Sequence, residues 1–217
     1  QDGHARLWDF RTGTALAALP GGGSWVSQLA FTPDGKKLAT ASGKQVKLWN
    51  ADGSALGALV ADAGGVNGMA WNAVGGLLAV VAGAEVQLWR VADVKLDRRL
   101  KWASTLLNIA WSPDGQVIAC GSLDKSVHFW RTRGWLDSQM GGYAKKPQAM
   151  VWTGDSRWLA TTGEAAVIAW TFAGKGPEGT RPLQLDGHAL PPARRLAFAA
   201  DPGLDCHEIR RSEAGCR

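Results

Sequence analysis

The residues whose types could support catalysis or metal binding are few and widely spaced. Cys206, His207 and Cys216 lie near one another at the end of the chain. They lack a fourth ligand and match no zinc-binding spacing, so we interpret them as an accident of composition. The remaining histidines fall in separate parts of the chain: His4, His128 and His188. A Ser/His/Asp triad is defined by geometry rather than chain order, and nothing in the sequence points to one.

One glycine-rich segment resembles a nucleotide-binding signature. Residues 174–179 read GKGPEG and fit the pattern G-x-G-x-x-G. That pattern binds a pyrophosphate only when a helix follows it, because the helix N-terminus meets the phosphates. Here Pro177 and Pro182 intrude, and a short strand is expected instead of a helix. We interpret the segment as a loop, and we expect no cofactor and no enzyme activity.

Composition places the chain among folded globular proteins. Of its 217 residues 46% are apolar, and its 28 glycines indicate many tight turns between short strands. The longest apolar run, at 77–84, is far shorter than the roughly 20 residues that cross a bilayer, so no membrane span is expected. Cys120 lies in a predicted buried strand, where a reduced thiol behaves as a small apolar group. Cysteine usage therefore favours a reducing compartment, and we expect a cytoplasmic protein.

The net charge of +5 raises the question of a polyanionic partner. Basic residues form three clusters: Lys36–Lys37, Arg98–Arg99–Lys101 and Lys145–Lys146. Each cluster falls in a predicted turn or outer strand, where a solvated surface is the usual role. A basic surface by itself indicates only loose attraction, so nucleic-acid or polyanion binding is kept as the alternative function.

A tetrad of the form apolar–any–apolar–Trp recurs along the chain. Its tryptophans stand at intervals of 40 or 41 residues: Trp8, Trp49, Trp89, Trp130 and Trp170. A fixed period of about 40 residues is typical of a repeat architecture. The sequence therefore predicts successive copies of one small unit.

Each unit reads as four short strands. Within residues 26–60 the runs are VSQLAFTP, KLATAS, VKLWNA and ALGALV, with turn residues between them. Breakers arrive too often to leave room for a helix of three turns. Four such strands form an up-and-down antiparallel meander, which cannot bury both of its faces alone. Radial repetition solves that problem and gives a β-propeller.

The first strand of each unit would then have neighbours on both faces. Bulky rings stand near the ends of these strands and are expected in the core: Phe31, Trp71, Trp111, Trp152 and Phe198. A small Ala or Val precedes each ring, an alternation that suits a tapering wedge.

Short motifs in the repeat resemble those of the WD-repeat β-propeller family. FTPDG at 31–35 and WSPDG at 111–115 match the family's first hairpin, and GSLDKSVHFW at 121–130 matches its turn and third strand. LWD at 7–9 and DGH at 186–188 match its flanking pairs. The resemblance extends over nearly all of residues 2–200. It implies an all-β fold, a β-propeller of four-stranded antiparallel blades.

Most members of that family have seven blades, which need a longer chain. We therefore expect residues 1–200 to be a segment of a larger ring, with an irregular tail at 201–217 that suggests a shifted reading frame or a truncated gene. A five-bladed ring would need a strand at 203–210, where no apolar run occurs. The expected parts are a partial blade at 1–20, full blades at 25–60, 66–102, 106–142 and 147–185, and a partial blade at 193–200.

The resemblance also implies a buried network that joins a His, a Ser or Thr, a turn Asp and the Trp indole. Asp124, Ser122 and Trp130 could supply three members in one repeat, but that repeat lacks the Gly-His pair. His188 has the right context, yet its own repeat is broken downstream. The network is therefore expected to be incomplete in every blade.

The expected function is a non-enzymatic scaffold that binds a protein or peptide. In a propeller the loops entering the first strands gather at one end with the turns between the second and third strands. Aromatic residues flanked by charge in such loops are typical of binding hot spots. The candidate binding residues are Trp25, Trp102, Tyr143, Lys145, Asp124 and Lys125. None of the three aromatics has a place in the core pattern of the repeat, and an enzyme site in the central channel is the least favoured hypothesis.

Overall fold

The computed structural model describes residues 2–163 and 167–185. All regular secondary structure in these residues is β-strand, so the predicted all-β class is confirmed. A helix long and apolar enough to cross a membrane is absent from the same residues. Several predictions fall outside them, namely the partial blade at 193–200, the tail at 201–217, and residues His188, Phe198, Cys206, His207 and Cys216.

Short strands joined by tight turns make up the described structure. They are β1 (His4–Asp9), β2 (Thr14–Pro20), β3 (Val26–Phe31), β4 (Lys37–Ser42), β5 (Gln45–Asn50), β6 (Ala55–Val60), β7 (Val66–Trp71), β8 (Leu77–Ala82), β9 (Glu85–Arg90), β10 (Lys95–Lys101), β11 (Ala110–Trp111), β12 (Val117–Gly121), β13 (Val127–Arg131), β14 (Leu136–Met140), β15 (Met150–Trp152), β16 (Trp158–Thr161), β17 (Val167–Thr171) and β18 (Leu183–Leu185).

Consecutive strands pair antiparallel. β1 and β2 form an N-terminal hairpin, and the rest form four four-stranded sheets: sheet 1 (β3–β6), sheet 2 (β7–β10), sheet 3 (β11–β14) and sheet 4 (β15–β18). The recurring tryptophan of the third strand lies opposite a branched apolar residue of the second in every sheet, in the pairs Leu38–Trp49, Leu78–Trp89, Ile118–Trp130 and Leu159–Trp170. This shared register shows that the sequence repeat is a structural repeat.

The sheets pack face to face in chain order. Leu48 and Val80 belong to the apolar cluster shared by sheets 1 and 2, Leu88 and Ile118 to that of sheets 2 and 3, and Phe129 and Leu159 to that of sheets 3 and 4. The first strands of successive sheets lie side by side, as in blades arranged around a common axis. Burying one such side chain contributes about 1.5–3 kcal/mol, so each sheet depends on its neighbours for much of its stability. The larger seven-bladed ring stays a prediction.

One predicted core ring is exposed. Phe31 of β3 has 47% of its surface exposed, although its counterpart Trp71 in sheet 2 is buried. Trp8 of β1 is similarly 57% exposed, whereas Trp49 is buried. β1 and β2 have the sequence pattern of third and fourth strands, and within the described residues no first strand lies against the outer face of β3. Burial of the ring therefore depends on the adjacent sheet and not on the motif alone.

The first strands of sheets 3 and 4 are shorter than predicted. Asn108 lies just before β11, and its Oδ1 accepts a hydrogen bond from the N–H of Gly121 in β12 at 2.9 Å. This side-chain oxygen takes the place of a backbone carbonyl. The hydroxyl oxygen of Thr162 accepts the N–H groups of Gln148 and Ala149 at 3.2 and 3.0 Å before β15. Side-chain acceptors thus replace part of the strand ladder and pair these three backbone N–H groups.

Candidate functional site

The loops that enter the first strands meet the turns between the second and third strands at one end of the sheets, here called the loop face. Three backbone bonds of 2.8 Å fix this arrangement, from the N–H groups of Ala61, Trp102 and Lys145 to the carbonyl oxygens of Lys44, Ala84 and Gly163, respectively. Each of these entry loops is therefore held against a turn, and the loop face is a built surface rather than a set of independent loops.

A groove of about 920 Å³ lies on the loop face, where the hairpin meets sheet 1. Trp25 lines it and has 67% of its surface exposed. Ser27 and Asn67 add polar side chains to the lining, and the glycines of the lining are Gly3, Gly21, Gly22, Gly23, Gly43 and Gly65. A β-carbon at Gly21 would lie only 2.7 Å from the carbonyl oxygen of Gly3, so that position has no room for a side chain.

Trp102 and Asp124, both predicted binding residues, contact each other. Nε1 of Trp102 donates to Oδ2 of Asp124 at 2.9 Å, while Oδ1 accepts the N–H and the hydroxyl of Ser126 at 3.1 and 2.6 Å. Burial by itself would raise the pKa of Asp124, but the hydrogen bonds from Ser126 and Trp102 outweigh it and hold the pKa below its usual value. Asp124 is thus a carboxylate whose oxygens are occupied by donors from neighbouring residues.

His128 is a buried residue of β13 that lies against Trp102. The two rings stack with their centroids 3.7 Å apart, and Trp130 contacts the imidazole edge-on at 4.4 Å. Burial lowers the pKa of His128 to about 4, although the carboxylates of Asp137 and Asp124 favour the charged form. The imidazole is therefore neutral at neutral pH, and it supports the indole of Trp102 from below the loop face.

The prediction that Tyr143 is a surface binding residue is wrong. Only 5% of Tyr143 is exposed, and it belongs to the apolar core between sheets 3 and 4. Its hydroxyl oxygen lies 2.7 Å from Oγ1 of Thr161 and accepts the Nε1–H of Trp170 at 2.7 Å. Burial raises the pKa of Tyr143 to about 12, against the opposite effect of these two bonds. At this buried position the phenol gives the indole of Trp170 its acceptor and also bonds to Thr161, whose hydroxyl reaches the carbonyl of Ile168 as well.

Lys125 and Lys145, the other predicted binding residues, are exposed on the loop face. Lys146 is exposed beside Lys145 in the loop before β15, and Lys101 is exposed at the end of β10, opposite Glu85 in the strand register. Within the part of the chain that the structure describes, none of these four lysine side chains forms an ion pair. Lys125 has a φ angle of 64°, in the turn that Asp124 closes through Ser126.

A charged cluster on the loop face of sheet 2 was not predicted from the sequence. Arg99 of β10 donates to both oxygens of Asp62 at 2.8 and 2.6 Å and also to Glu85. The amide nitrogen of Gln87 donates to the same two carboxylates at 2.5 and 2.6 Å. The hydrogen bond from Arg99 is the main cause that lowers the pKa of Asp62 to about 2. No spacing rule could have found this cluster, because its contacts cross between two strands and an entry loop.

The glycine-rich segment at 174–179 lies in the connection between β17 and β18, where no helix follows it. Glu178 of this segment accepts two bonds from Arg131 of β13, at 2.6 and 2.7 Å. The segment therefore ties sheet 4 to sheet 3, and its match to a nucleotide-binding pattern is coincidental in structural terms. No group of three potential metal ligands occurs among residues 2–163 and 167–185.

Comparison with known families agrees with this architecture. The family described as WD domain, G-beta repeat matches residues 13–50 and 98–131. Both matches end on the last residue of a third strand, Asn50 of β5 and Arg131 of β13, directly after the recurring tryptophan. The matched repeats belong to the WD-repeat family. Repeats of this family generally act as scaffolds for protein interactions and are typically non-enzymatic.

In this WD-repeat protein the buried network implied by the family is altered in each sheet. Trp102 lies in the entry loop of sheet 3 and bonds to Asp124 in a turn, and Tyr143 lies in the entry loop of sheet 4 and bonds to Thr161 in a strand. In the family, the His of the network is expected to make such contacts. Asp62 occupies the entry loop of sheet 2 and bonds to Gln87 and Arg99 instead. None of the four described sheets contains all four members of the network.

The hydrogen bond donated by the recurring tryptophan also differs between sheets. Nε1 of Trp49 donates to the hydroxyl of Thr40 at 3.0 Å in sheet 1. Val80 holds the equivalent register position in sheet 2, and within the described residues the buried Nε1 of Trp89 has no acceptor. An unpaired buried donor costs about 1–3 kcal/mol, so sheet 2 carries an uncompensated polar group.

Proposed function

We propose that this WD-repeat protein is a non-enzymatic scaffold that binds a protein or peptide on its loop face, with Trp25 as the central anchor. The observation that carries the proposal is the position of that indole, which is 67% exposed beside a groove of about 920 Å³. Tryptophan is enriched among residues that dominate binding energy, because it offers a large, rigid apolar surface.

The groove has a size and lining that suit a peptide. Its volume falls within the roughly 300–1,000 Å³ of typical ligand pockets. Glycines such as Gly22, Gly23 and Gly43 leave backbone groups without side chains along its wall. An extended peptide could reach those groups and the polar side chains of Ser27 and Asn67. The indole N–H of Trp25 has no partner within the described residues and is available to a ligand carbonyl.

Trp102, Asp124, Lys125 and Lys145 form the second part of the proposed binding face. Tyr143 is removed from it because its side chain lies in the core. A partner that covers both parts would span the entry loops of successive sheets, as a scaffold surface requires.

The alternative function, binding of a polyanion, draws less support from the structure. Lys36 and Lys37 follow the turn between β3 and β4, at the end of the sheet opposite the loop face. Arg99 is already engaged by Asp62 and Glu85. The three basic clusters therefore do not make one continuous surface. We also propose a cytoplasmic location, with which the buried free thiol of Cys120 is compatible.

A peptide-display selection on the immobilised protein tests the proposal. We expect enriched peptides whose affinity falls about tenfold or more in Trp25→Ala, the usual cost of removing an aromatic anchor. Trp8→Ala is the matched control, since Trp8 is similarly exposed but lies near the end of β1 that is opposite the loop face. The proposal fails if no peptide is enriched, or if both variants bind the selected peptides as tightly as the unchanged protein.

A further inference from the structure

We infer that the protein partner presents an acidic segment with at least one apolar side chain to a lysine patch on the loop face of sheets 3 and 4. The lysine patch consists of Lys125, Lys145 and Lys146. This inference rests on the proposed function and adds the chemical class of the ligand.

Contacts between loops place the lysines on one surface. Nδ2 of Asn108 donates to the carbonyl of Pro147 at 3.1 Å, and a β-carbon at Gly121 would lie 2.7 Å from that carbonyl. The loop that carries Lys145 and Lys146 therefore rests on the end of β12. The turn that carries Lys125 begins directly after Gly121, so the lysines of two successive sheets face the same volume of solvent.

The entry loop of sheet 3 holds the turn that carries Lys125 in place. The indole of Trp102 in that loop is bonded to Asp124 in the turn. The backbone of the same entry loop is also tied to that turn, because the N–H of Leu123 donates to the carbonyl of Thr105 at 2.9 Å.

Within the described residues the patch has a net positive charge. The carboxylate beside it, Asp124, already accepts bonds at both oxygens from Trp102 and Ser126. Within the described residues the neighbouring carboxylates Asp62 and Glu85 are neutralised in part by Arg99. Complementary charge on a partner steers encounter and selects against basic partners.

An exposed apolar residue lies within the patch and favours a peptide over a bare polyanion. Leu123 has 44% of its surface exposed in the same turn as Lys125. The indole of Trp102 is only partly exposed. One of its faces stacks on His128, and its N–H donates to Asp124. Non-specific binding of single-stranded nucleic acid relies on free aromatic faces for stacking, and Trp102 is not positioned to offer both of its faces. An acidic peptide with an apolar side chain can neutralise the lysines and cover Leu123 together.

The test compares two labelled probes of equal net charge, a short peptide of Asp, Glu and one Phe, and a single-stranded DNA oligonucleotide. We expect the peptide to bind more tightly and its affinity to fall with added salt. Reversing three charges in K125E/K145E/K146E should weaken peptide binding about tenfold or more. The exposed lysines would attract the acidic peptide electrostatically, and glutamates in their place would repel it. The control R11E/K36E/K37E reverses three charges at the opposite end and should change affinity less than about twofold.

Three results would overturn the inference: equal peptide affinity in the patch variant, equal loss in the control variant, or tighter binding of the oligonucleotide. The unfolding transition of each variant, measured in parallel, shows that a loss of binding is not a loss of fold. Failure here is distinguishable from failure of the proposed function. If display selection yields Trp25-dependent peptides without acidic residues, the scaffold proposal stands and the acidic ligand does not.

Discussion

The indole nitrogen of Trp102 donates to the carboxylate of Asp124 across 2.9 Å, joining the entry loop of sheet 3 to the turn between its second and third strands. These two residues are far apart in the repeat, and their bond holds the middle of the loop face in one shape. The same carboxylate fixes its own turn through Ser126. A residue first considered as a ligand contact is therefore also a positioning residue for the surface around it.

Trp102→Phe should lower the free energy of unfolding by about 1.5–3 kcal/mol. Phenylalanine keeps an aromatic ring against His128 but cannot donate to Asp124, and a hydrogen bond to a charged group contributes in this range. Urea unfolding measures the change. Trp25→Phe is the matched control, because Trp25 is exposed and should change stability by less than about 0.5 kcal/mol. Equal effects of the two substitutions would contradict the structural role of the bond.

Acidification should destabilise the protein through His128. Its pKa is about 4 in the folded protein and near 6.5 when unfolded, so between those values only the unfolded chain binds the proton. Stability is therefore complete above the unfolded pKa and is lost as the pH falls from about 6.5 towards 4, by up to about 3 kcal/mol.

Urea unfolding across this pH window, compared with His128→Phe, isolates the effect. The variant keeps an aromatic ring between Trp102 and Trp130 but has no group that titrates there. Carboxylates with lowered pKa values, such as Asp62 and Asp155, contribute equally to both proteins and cancel in the difference. Parallel pH profiles for the two proteins would show that His128 is not buried as described.

Alkaline titration should report on Tyr143 directly, because it is the only tyrosine in the chain. Burial raises its pKa to about 12, so the ultraviolet absorbance of phenolate should appear near that pH in the folded protein. In urea the same signal should appear near the ordinary value of about 10. Stability should decline as pH rises from about 10 towards 12, since the unfolded chain alone releases the proton. A folded-state transition near 10 would place Tyr143 on the surface, as the sequence first indicated.

Val80→Thr should stabilise the protein by about 0.5–1 kcal/mol by giving the buried Nε1 of Trp89 an acceptor. Thr40 in sheet 1 makes the equivalent bond to Trp49, so the geometry already exists within the chain. The reciprocal change Thr40→Val should destabilise by about 1–3 kcal/mol, because it leaves the indole of Trp49 unpaired. Thermal or urea unfolding of both variants provides the comparison. Loss of stability in both would mean that the hydroxyl at position 80 does not reach the indole.

The sequence by itself determined the repeat and its strands. Tryptophans every 40 or 41 residues, with turn residues between short apolar runs, were sufficient for the four-stranded units because these signals are local in the chain. The pairing of Trp49 with Leu38 and of its equivalents follows from the same period. The loop-face location of Trp25 and Lys125 likewise followed from the order of strands.

Only the tertiary structure decided which of these residues are exposed and what they contact. Tyr143 is buried because Thr161 and Trp170 meet it from other strands, while Phe31 is exposed because no described first strand covers it. The cluster around Arg99 likewise joins positions with no shared spacing. Local pattern sets the strands, whereas burial and side-chain pairing arise where sheets and loops distant in the chain come together. The physical reason is that packing free energy depends on neighbours in space, which a one-dimensional repeat does not specify.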